Sequence, residues 1–332
     1  MDEKKKDRIN RAGGGLPADA RRAGRVRRQP EETITKSRTL KEIWRLHKQK
    51  YLLILPFFIL FVVFTLIPVL ISIGLSFTSF NLFETPKFVG FDNYINLIAF
   101  DSVFLTAVKN TLLFAIITGP VSYVLCFVLA WLINELPPKV RAVMTLVFYA
   151  PSISGGAYLI WKLIFSSDTY GYANALLLQL GLIQEPILWF QTEEYIMPIL
   201  IVVQLWMSIG VSFLAFIAGL QNVDRSLYEA CQMDGVKNRW QELWYITLPQ
   251  MKPQLMFGAV MQITTSLSVS SISIDLVGFP SVNYAGHTIL THLYDYGTLR
   301  LEMGYACAIA TILFFMMLFI NIIIQKLLRK VG

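Results

Sequence analysis

Six stretches of this chain are apolar and long enough to cross the roughly 30 Å hydrocarbon layer of a bilayer, which takes about 20 residues of helix. They lie at about 51–77, 105–134, 142–166, 195–221, 253–275 and 303–326. Backbone in lipid must satisfy its own hydrogen bonds, so single spans of this length are helical. The runs therefore predict an all-α, polytopic membrane protein with six transmembrane helices. Pro56 and Pro68 fall in the first run and are expected to kink it. That run is too long for a signal peptide and lacks a small-residue cleavage site. Composition agrees: the 332 residues are 55% hydrophobic and 15% charged, against about 25% charged in globular chains.

The charges are distributed by topology. Of 29 Lys and Arg residues, 16 precede residue 51. Lys139 and Arg141 fall between runs two and three, Arg225, Lys237, Arg239 and Lys252 between runs four and five, and Lys326, Arg329 and Lys330 at the C-terminus. Only Lys87, Lys109, Lys162 and Arg300 remain for the other side. The positive-inside rule then puts both termini and the 222–252 segment in the cytoplasm. The net charge of +7 is explained without nucleic acid, and no nucleic-acid partner is expected. Residues 1–39, rich in Gly, Pro and Arg, read as a disordered basic cytoplasmic tail that attracts membrane lipids. Residues 40–50, with Leu40, Ile43, Trp44 and Leu46 among charges, read as an interfacial amphipathic helix. Residues 51–328 form the membrane domain.

What the chain lacks narrows its chemistry. The cores of the six runs carry no Asp, Glu, His or Arg, and only Lys162 near an outer end. Ion-coupled carriers and membrane enzymes place ionisable groups there. A secondary carrier is also expected to show inverted repeats with broken helices, and none is apparent in the sequence. There is no GxxxxGK[ST] phosphate loop, since neither Gly13-Gly14-Gly15 nor Gly155-Gly156 is followed by Lys-Ser/Thr. Cys126, Cys231 and Cys307 have no CxxC spacing. His287 and His292 lie five apart, a poor same-face spacing on a helix, so they read as outer-loop residues and no metal site is expected.

The segment Leu227–Pro253 is too polar to cross a membrane, carrying Glu229, Asp234, Lys237, Arg239 and Glu242. Leu227, Ala230, Cys231 and Asp234 keep one helical spacing, and Val236, Trp240, Leu243, Trp244 and Thr247 keep another. Gly235 between them suits a left-handed helix end, and Pro249 and Pro253 suit first turns of following helices. A compact helix–turn–helix is expected, shaped for a groove on another protein.

The series Glu229-Ala230-Cys231, Asp234-Gly235 and Ile246-x-Leu248-Pro249 resembles the "EAA" cytoplasmic loop of permease subunits of binding-protein-dependent ABC importers. Cys231 departs from that pattern, which usually has a second Ala. Phe88-Val89-Gly90 with Asn93-Tyr94, then Asn110-Thr111, Pro151, Trp161, Gly171-x-x-Asn174-x-x-Leu177 and Gly304-Tyr-Ala-Cys-Ala-Ile-Ala310 resemble the carbohydrate-type permeases, so the likeness covers about residues 50–328. The nearest counterparts are the first permeases of oligosaccharide and glycerol-phosphate systems; the large outer domain of the maltose permease has no counterpart.

The resemblance implies a type I ABC importer permease fold in a bacterial or archaeal cytoplasmic membrane. It implies a homologous second permease, two ATPase subunits that hold ATP and Mg, and an extracytoplasmic solute-binding protein. The chain itself would bind no cofactor and would not be an enzyme. Glu229, Ala230, Cys231, Asp234, Gly235, Leu248 and Pro249 would couple it to the ATPases. The plain alternatives are local: a solvated helix charge at Glu229, a C-cap at Gly235 and a helix start at Pro249.

Sugars are held by aromatic faces and neutral hydrogen-bonding groups, which nominates Tyr149, Trp161, Gln204, Trp206, Ser208, Gln262, Ser266 and Ser270 for a substrate path. Serines in spans also mediate helix packing, and Trp and Tyr also mark interfaces. The function expected is import of a sugar or oligosaccharide. The alternatives are another solute, such as glycerol phosphate or a peptide, and an ATP-independent carrier.

Overall fold

The computed structural model describes residues 40–331, and the expected tail at 1–39 lies outside the described residues. The chain divides into two compact units between Val63 and Phe64. In the first, α1 (Leu40–Phe61) is one uninterrupted helix, so the helix expected over 40–50 does not stop at residue 50.

The second unit is almost wholly helical. A π-helical turn, Val62–Leu66, straddles the division, and the first turn of α2 (Ile67–Leu75) holds Pro68. Proline has no N–H to give the carbonyl four residues back, and a widened turn accommodates the break. The short strands β1 (Thr78–Ser79) and β2 (Lys87–Phe88) pair antiparallel, with Thr78 opposite Phe88. Then come α3 (Asp92–Ile95) and the 33-residue α4 (Ser102–Asn134).

The third apolar run breaks. Helix α5 (Pro138–Ile153) ends two residues after Pro151, and after Ser154-Gly155-Gly156 the chain turns through 85° into a short segment ending in α6 (Ile160–Ile164). Helix α7 (Tyr172–Gln179) follows. The fourth run is α8 (Glu193–Met207) and α9 (Val211–Asn222), interrupted at Ser208–Gly210. Next are α10 (Arg225–Met233), α11 (Arg239–Glu242) and α12 (Leu248–Gln250). The fifth run also bends, by 41°, between α13 (Lys252–Leu267) and α14 (Ser271–Val277). Helices α15 (Ile289–Tyr294) and α16 (Met303–Val331) complete the chain.

Four helical runs are long and apolar enough to cross a membrane, and each bent pair, counted as one span, raises the number to six. Two expectations are corrected. Broken helices are present, at Ser154–Gly156 and Ser268–Ser270. The fifth run also contributes a carboxylate, because Asp275, at its very end, sits within α14.

Helices α4, α9 and α13 pack into the centre of the second unit. Phe213 and Phe216 are fully buried there, with the Tyr123 and Phe127 rings edge-on to Phe216 at 5.5 and 5.7 Å. Gly258 lets α13 approach: a Cβ there would lie 2.3 Å from Phe216 Cζ. Gln262, 2% exposed, ties three elements together. Its Nε2 donates to the Ser208 carbonyl (3.1 Å) and reaches Cys126 Sγ (3.2 Å), while Ser122 Oγ donates to its Oε1 (3.2 Å).

Side-chain amides fasten the connecting loops. Asn93 Nδ2 donates to the carbonyls of Ser76 (2.9 Å) and Thr78 (3.0 Å). Asn110 Nδ2 reaches the carbonyls of Tyr284, Ala285 and His287 at 3.0–3.3 Å, and Thr111 Oγ1 accepts from Ile289 N–H. Asn174, fully buried, donates to the Ser166, Asp168 and Ile187 carbonyls and accepts from Ile187 N–H and Trp189 Nε1–H. The motif residues Asn93, Asn110 and Asn174 thus supply side-chain amides to backbone carbonyls of the connecting segments.

Candidate functional site

The polar segment between α9 and α13 folds as a helical hairpin whose turns are set by local chemistry. Asp224 caps α10, its Oδ1 accepting from Ser226 N–H (3.0 Å), and this bond holds its carboxyl below the usual range. At the far end Val236 N–H donates to the Cys231 carbonyl and Gly235 N–H to the Gln232 carbonyl, both 3.2 Å. This double closure needs a left-handed residue, and Gly235 supplies it at φ +93°. Asn238 caps α11 through Gln241 N–H (2.9 Å), and the Gln241 side chain returns a bond to Lys237 N–H (3.0 Å). Another π turn, Leu243–Thr247, then leads to Pro249, as Val62–Leu66 leads to Pro68.

The hairpin is tied to itself and to the end of α4. The Tyr228 hydroxyl meets Thr247 Oγ1 at 2.9 Å. Arg239 pairs with Glu242 at 2.8 Å and with Glu135, just past α4, at 3.0 Å. The Trp131 and Trp240 rings lie 5.2 Å apart. Between these pieces is a cleft of about 550 Å³ lined by Glu135, Arg141, Arg225, Tyr228, Glu229 and Arg239 among others.

The hairpin unites the residues nominated for coupling. Glu229, Ala230, Asp234, Gly235 and Pro249 are exposed, and Cys231 and Leu248 are half-buried. Leu248 packs on the central core beside Leu243. Met233, Trp240, Trp244 and Tyr245 are also exposed, Met233 by 89%. This apolar surface on a charged loop was not nominated from sequence, although the aromatic run 240–245 carried the signal.

The substrate-path nominees separate into two groups. Gln204, Ser208, Gln262 and Ser266 are buried; Ser208 and Ser266 donate to their own helices, at Leu205 and Ile263, and Gln262 is the central tie. Tyr149, Trp161, Trp206 and Ser270 are half-buried. The Trp161 ring meets Trp206 edge-on at 5.8 Å and stacks on Phe165 at 5.8 Å. None of the eight lines the cleft under the hairpin, nor a second of about 480 Å³ whose walls include Asn81, Glu84, Tyr296, Arg300 and Tyr305.

The histidines are not loop-surface residues. His287 precedes the Thr288 cap of α15 and His292 lies within that helix, so helical spacing never applied to the pair. Both are 2% exposed. His292 Nε2 lies 3.0 Å from Asp101 Oδ2, which also accepts from the Tyr305 hydroxyl (3.0 Å). His292 Nδ1 lies 3.0 Å from His287 Nε2, and His287 Nδ1 has no partner among the described residues. With Asp101 ionised, the two Nε2 atoms carry the protons and His287 Nδ1 is a bare acceptor. Burial pushes the Asp101 carboxyl up, but Phe104 N–H, His292 and Tyr305 together hold it below its ordinary value. Burial, and then His292, push His287 down to about 4, and burial also lowers His292. No group of three or more metal-binding side chains occurs among the described residues.

No family model matches the chain. It is 34% identical over 281 residues to the probable ABC transporter permease protein YesP of Bacillus subtilis (strain 168), covering 83% of this chain and 89% of that protein. It is 32% identical over 279 residues to the arabinooligosaccharides transport system permease protein AraP of the same organism (83% and 87%). It is 30% identical over 281 residues to the lactose transport system permease protein LacF of Rhizobium radiobacter (82% and 90%). The fold matches a crystal structure of a bacterial ABC transporter involved in the import of the acidic polysaccharide alginate, with TM-score 0.72, 26% identity, and 88% of this chain and 99% of that chain covered. A second structure of an alginate transporter, in complex with an alginate pentasaccharide-bound periplasmic protein, matches with TM-score 0.71 and 25% identity.

Proposed function

The chain belongs to the ABC transporter permeases of carbohydrate transport systems, and from that premise we propose that it passes a sugar or oligosaccharide across the cytoplasmic membrane using ATP hydrolysed by separate subunits. The observation that carries the coupling half of this reading is the 224–247 hairpin. It is a pre-folded, charged projection with exposed Met233, Trp240 and Trp244, and Leu248 seats it on the central core. Such a projection suits a groove on a partner, with apolar anchors inside and charges at the rim.

In this reading each bent pair is one span, giving six, and both termini lie on the side of the hairpin, where most Lys and Arg fall. The full machine holds a second permease, two ATPase chains with ATP and Mg, and an external solute-binding protein. The carbohydrate names of the relatives and the saccharide-loaded protein beside the alginate permease support the substrate class.

The test is purification of the chain from its native membrane in mild detergent, with co-purifying chains identified by mass spectrometry. The expected result is a phosphate-loop ATPase and a second six-span permease. Recovery of this chain alone or as a homodimer refutes the reading.

A further inference from the structure

The two broken spans meet beyond their breaks. Tyr158, 8% exposed, follows the 85° bend of the third span, and its hydroxyl donates to Asp275 Oδ2 on α14, beyond the bend of the fifth. Lys162 Nζ donates to the Asp275 carbonyl at 3.2 Å. Both Asp275 and Lys162 are exposed, and no group among the described residues donates to Asp275 Oδ1.

Asp275 is the one carboxylate in the six apolar runs; Glu193 and Glu194, in the first turn of α8, precede the fourth. It lies 23 residues beyond Lys252, about 35 Å along helix at 1.5 Å per residue, so it sits at the rim of the hydrocarbon opposite the hairpin. An exposed carboxylate and ammonium at that depth turn toward water, not toward acyl chains. The aromatic stack is adjacent: Trp161 and Phe165 pack on the same cluster as Tyr158, Ile272 and Leu276.

We infer that Asp275, oriented by Tyr158 and bonded through its carbonyl by Lys162, the residue after Trp161, is a specificity-determining contact that accepts hydrogen bonds from the hydroxyls of a neutral saccharide entering the permease. The inference rests on the carbohydrate reading above. Oδ1 is a free charge-assisted acceptor, the stronger kind of hydrogen-bond partner. Lys162 supplies donors beside it, and an aromatic face accommodates the apolar side of a sugar ring. A saccharide that itself carries carboxylates gains less, because its charge opposes that of Asp275.

The test uses the permease–ATPase complex purified without the external solute-binding protein, in lipid nanodiscs, titrated calorimetrically with arabinotriose, lactose, maltotriose and trigalacturonate. Asp275→Asn keeps the shape and removes the charge. It is expected to weaken binding of the neutral saccharide the wild type takes best by about tenfold, the size of one charge-assisted hydrogen bond. Its affinity for trigalacturonate should hold or rise. Tyr158→Phe, which removes only the orienting hydroxyl, is expected to weaken the neutral saccharide by a smaller factor. Equal weakening of neutral and acidic saccharides by Asp275→Asn overturns the inference, as does no change in either. If Asp275→Asn does not assemble, the Tyr158→Phe comparison decides in the same way. Wild-type complex that contains the ATPases but binds none of the four saccharides overturns the inference and the carbohydrate reading together, and one that binds only trigalacturonate overturns the inference alone. Wild type that binds a neutral sugar while Asp275→Asn is unchanged leaves that reading standing and removes only this contact.

Discussion

Gly304 is where the packing leaves least room for a side chain. A Cβ at this position would lie 2.0 Å from the Thr78 carbonyl oxygen and 2.9 Å from Phe80 N. Both are backbone atoms, so nothing can swing aside. Gly304→Ala must push the start of α16 away from β1, and that movement breaks the Gly304 N–H to Phe80 carbonyl bond (2.9 Å). It also disturbs the Thr78 carbonyl held by Asn93. Overpacking of this kind costs about 1–3 kcal/mol, and a lost hydrogen bond about 1 more. The expected destabilisation is therefore about 2–4 kcal/mol, a drop of roughly 4–10 °C in thermal unfolding of the detergent-solubilised protein followed by circular dichroism. Gly74 is the control: it lies in α2, and a Cβ there meets nothing within 4 Å. Gly74→Ala should be neutral or stabilising by up to about 1 kcal/mol, the helix preference of alanine. If the two variants melt within a degree of each other, the close-approach reasoning is wrong.

Three further expectations follow. Asn174→Ala strands three carbonyls and two N–H donors in a buried loop and should cost about 3 kcal/mol or more in the same melting assay; an unchanged melt shows that water replaces the amide. Glu229→Lys or Gly235→Asp should uncouple ATP hydrolysis from uptake in the reconstituted complex while membrane insertion persists, since Asp at φ +93° is strained and Lys reverses a cleft charge; normal uptake by both removes the coupling role. His287 and His292 resist protonation in the folded state, His287 down to about 4 against 6.5 unfolded, so the unfolded chain binds more protons as pH falls between those values. Stability should decline on acidification from about 6.5 to 4, and His287→Phe should flatten that decline in urea titrations at stepped pH. Asp101 has its pKa lowered, so its contribution is present above the unfolded value of 3.8 and is lost only below it.

Much of this architecture was readable because lipid leaves the chain few choices. Apolar length placed the spans, and Gly235, Pro249 and Pro253 punctuate the polar hairpin by local rules that need no tertiary partner. The breaks were harder. Gly155-Gly156 fails as a phosphate loop, yet a glycine pair beyond Pro151 in an apolar run is itself a signal of interruption. Ser266 and Ser270, which the sequence nominates for the path, flank the break at Ser268–Ser270, and serine alone does not announce a break. The Asp101–His292–His287 chain left no trace in sequence, because Asp101 and His292 are 191 residues apart and become neighbours only once α4 and α15 pack.

The Gln262 tie has a mechanical consequence. A rod held at one point near its middle cannot slide; it can only turn about that point. Helix α13 and its continuation α14 run from the hairpin at Lys252 to Asp275, and Gln262 is bonded across to Ser122 on α4 and to the carbonyl of Ser208 between α8 and α9. The segment from Lys252 to Gln262 is about 15 Å long, and that from Gln262 to Asp275 about 20 Å. If a partner pulls the hairpin inward and the 41° bend at Ser268–Ser270 keeps its angle, the far arm swings outward by a comparable distance. One amide in the centre of the bundle thus makes opposite displacements at the two ends a matter of geometry, with no relay of side chains between them.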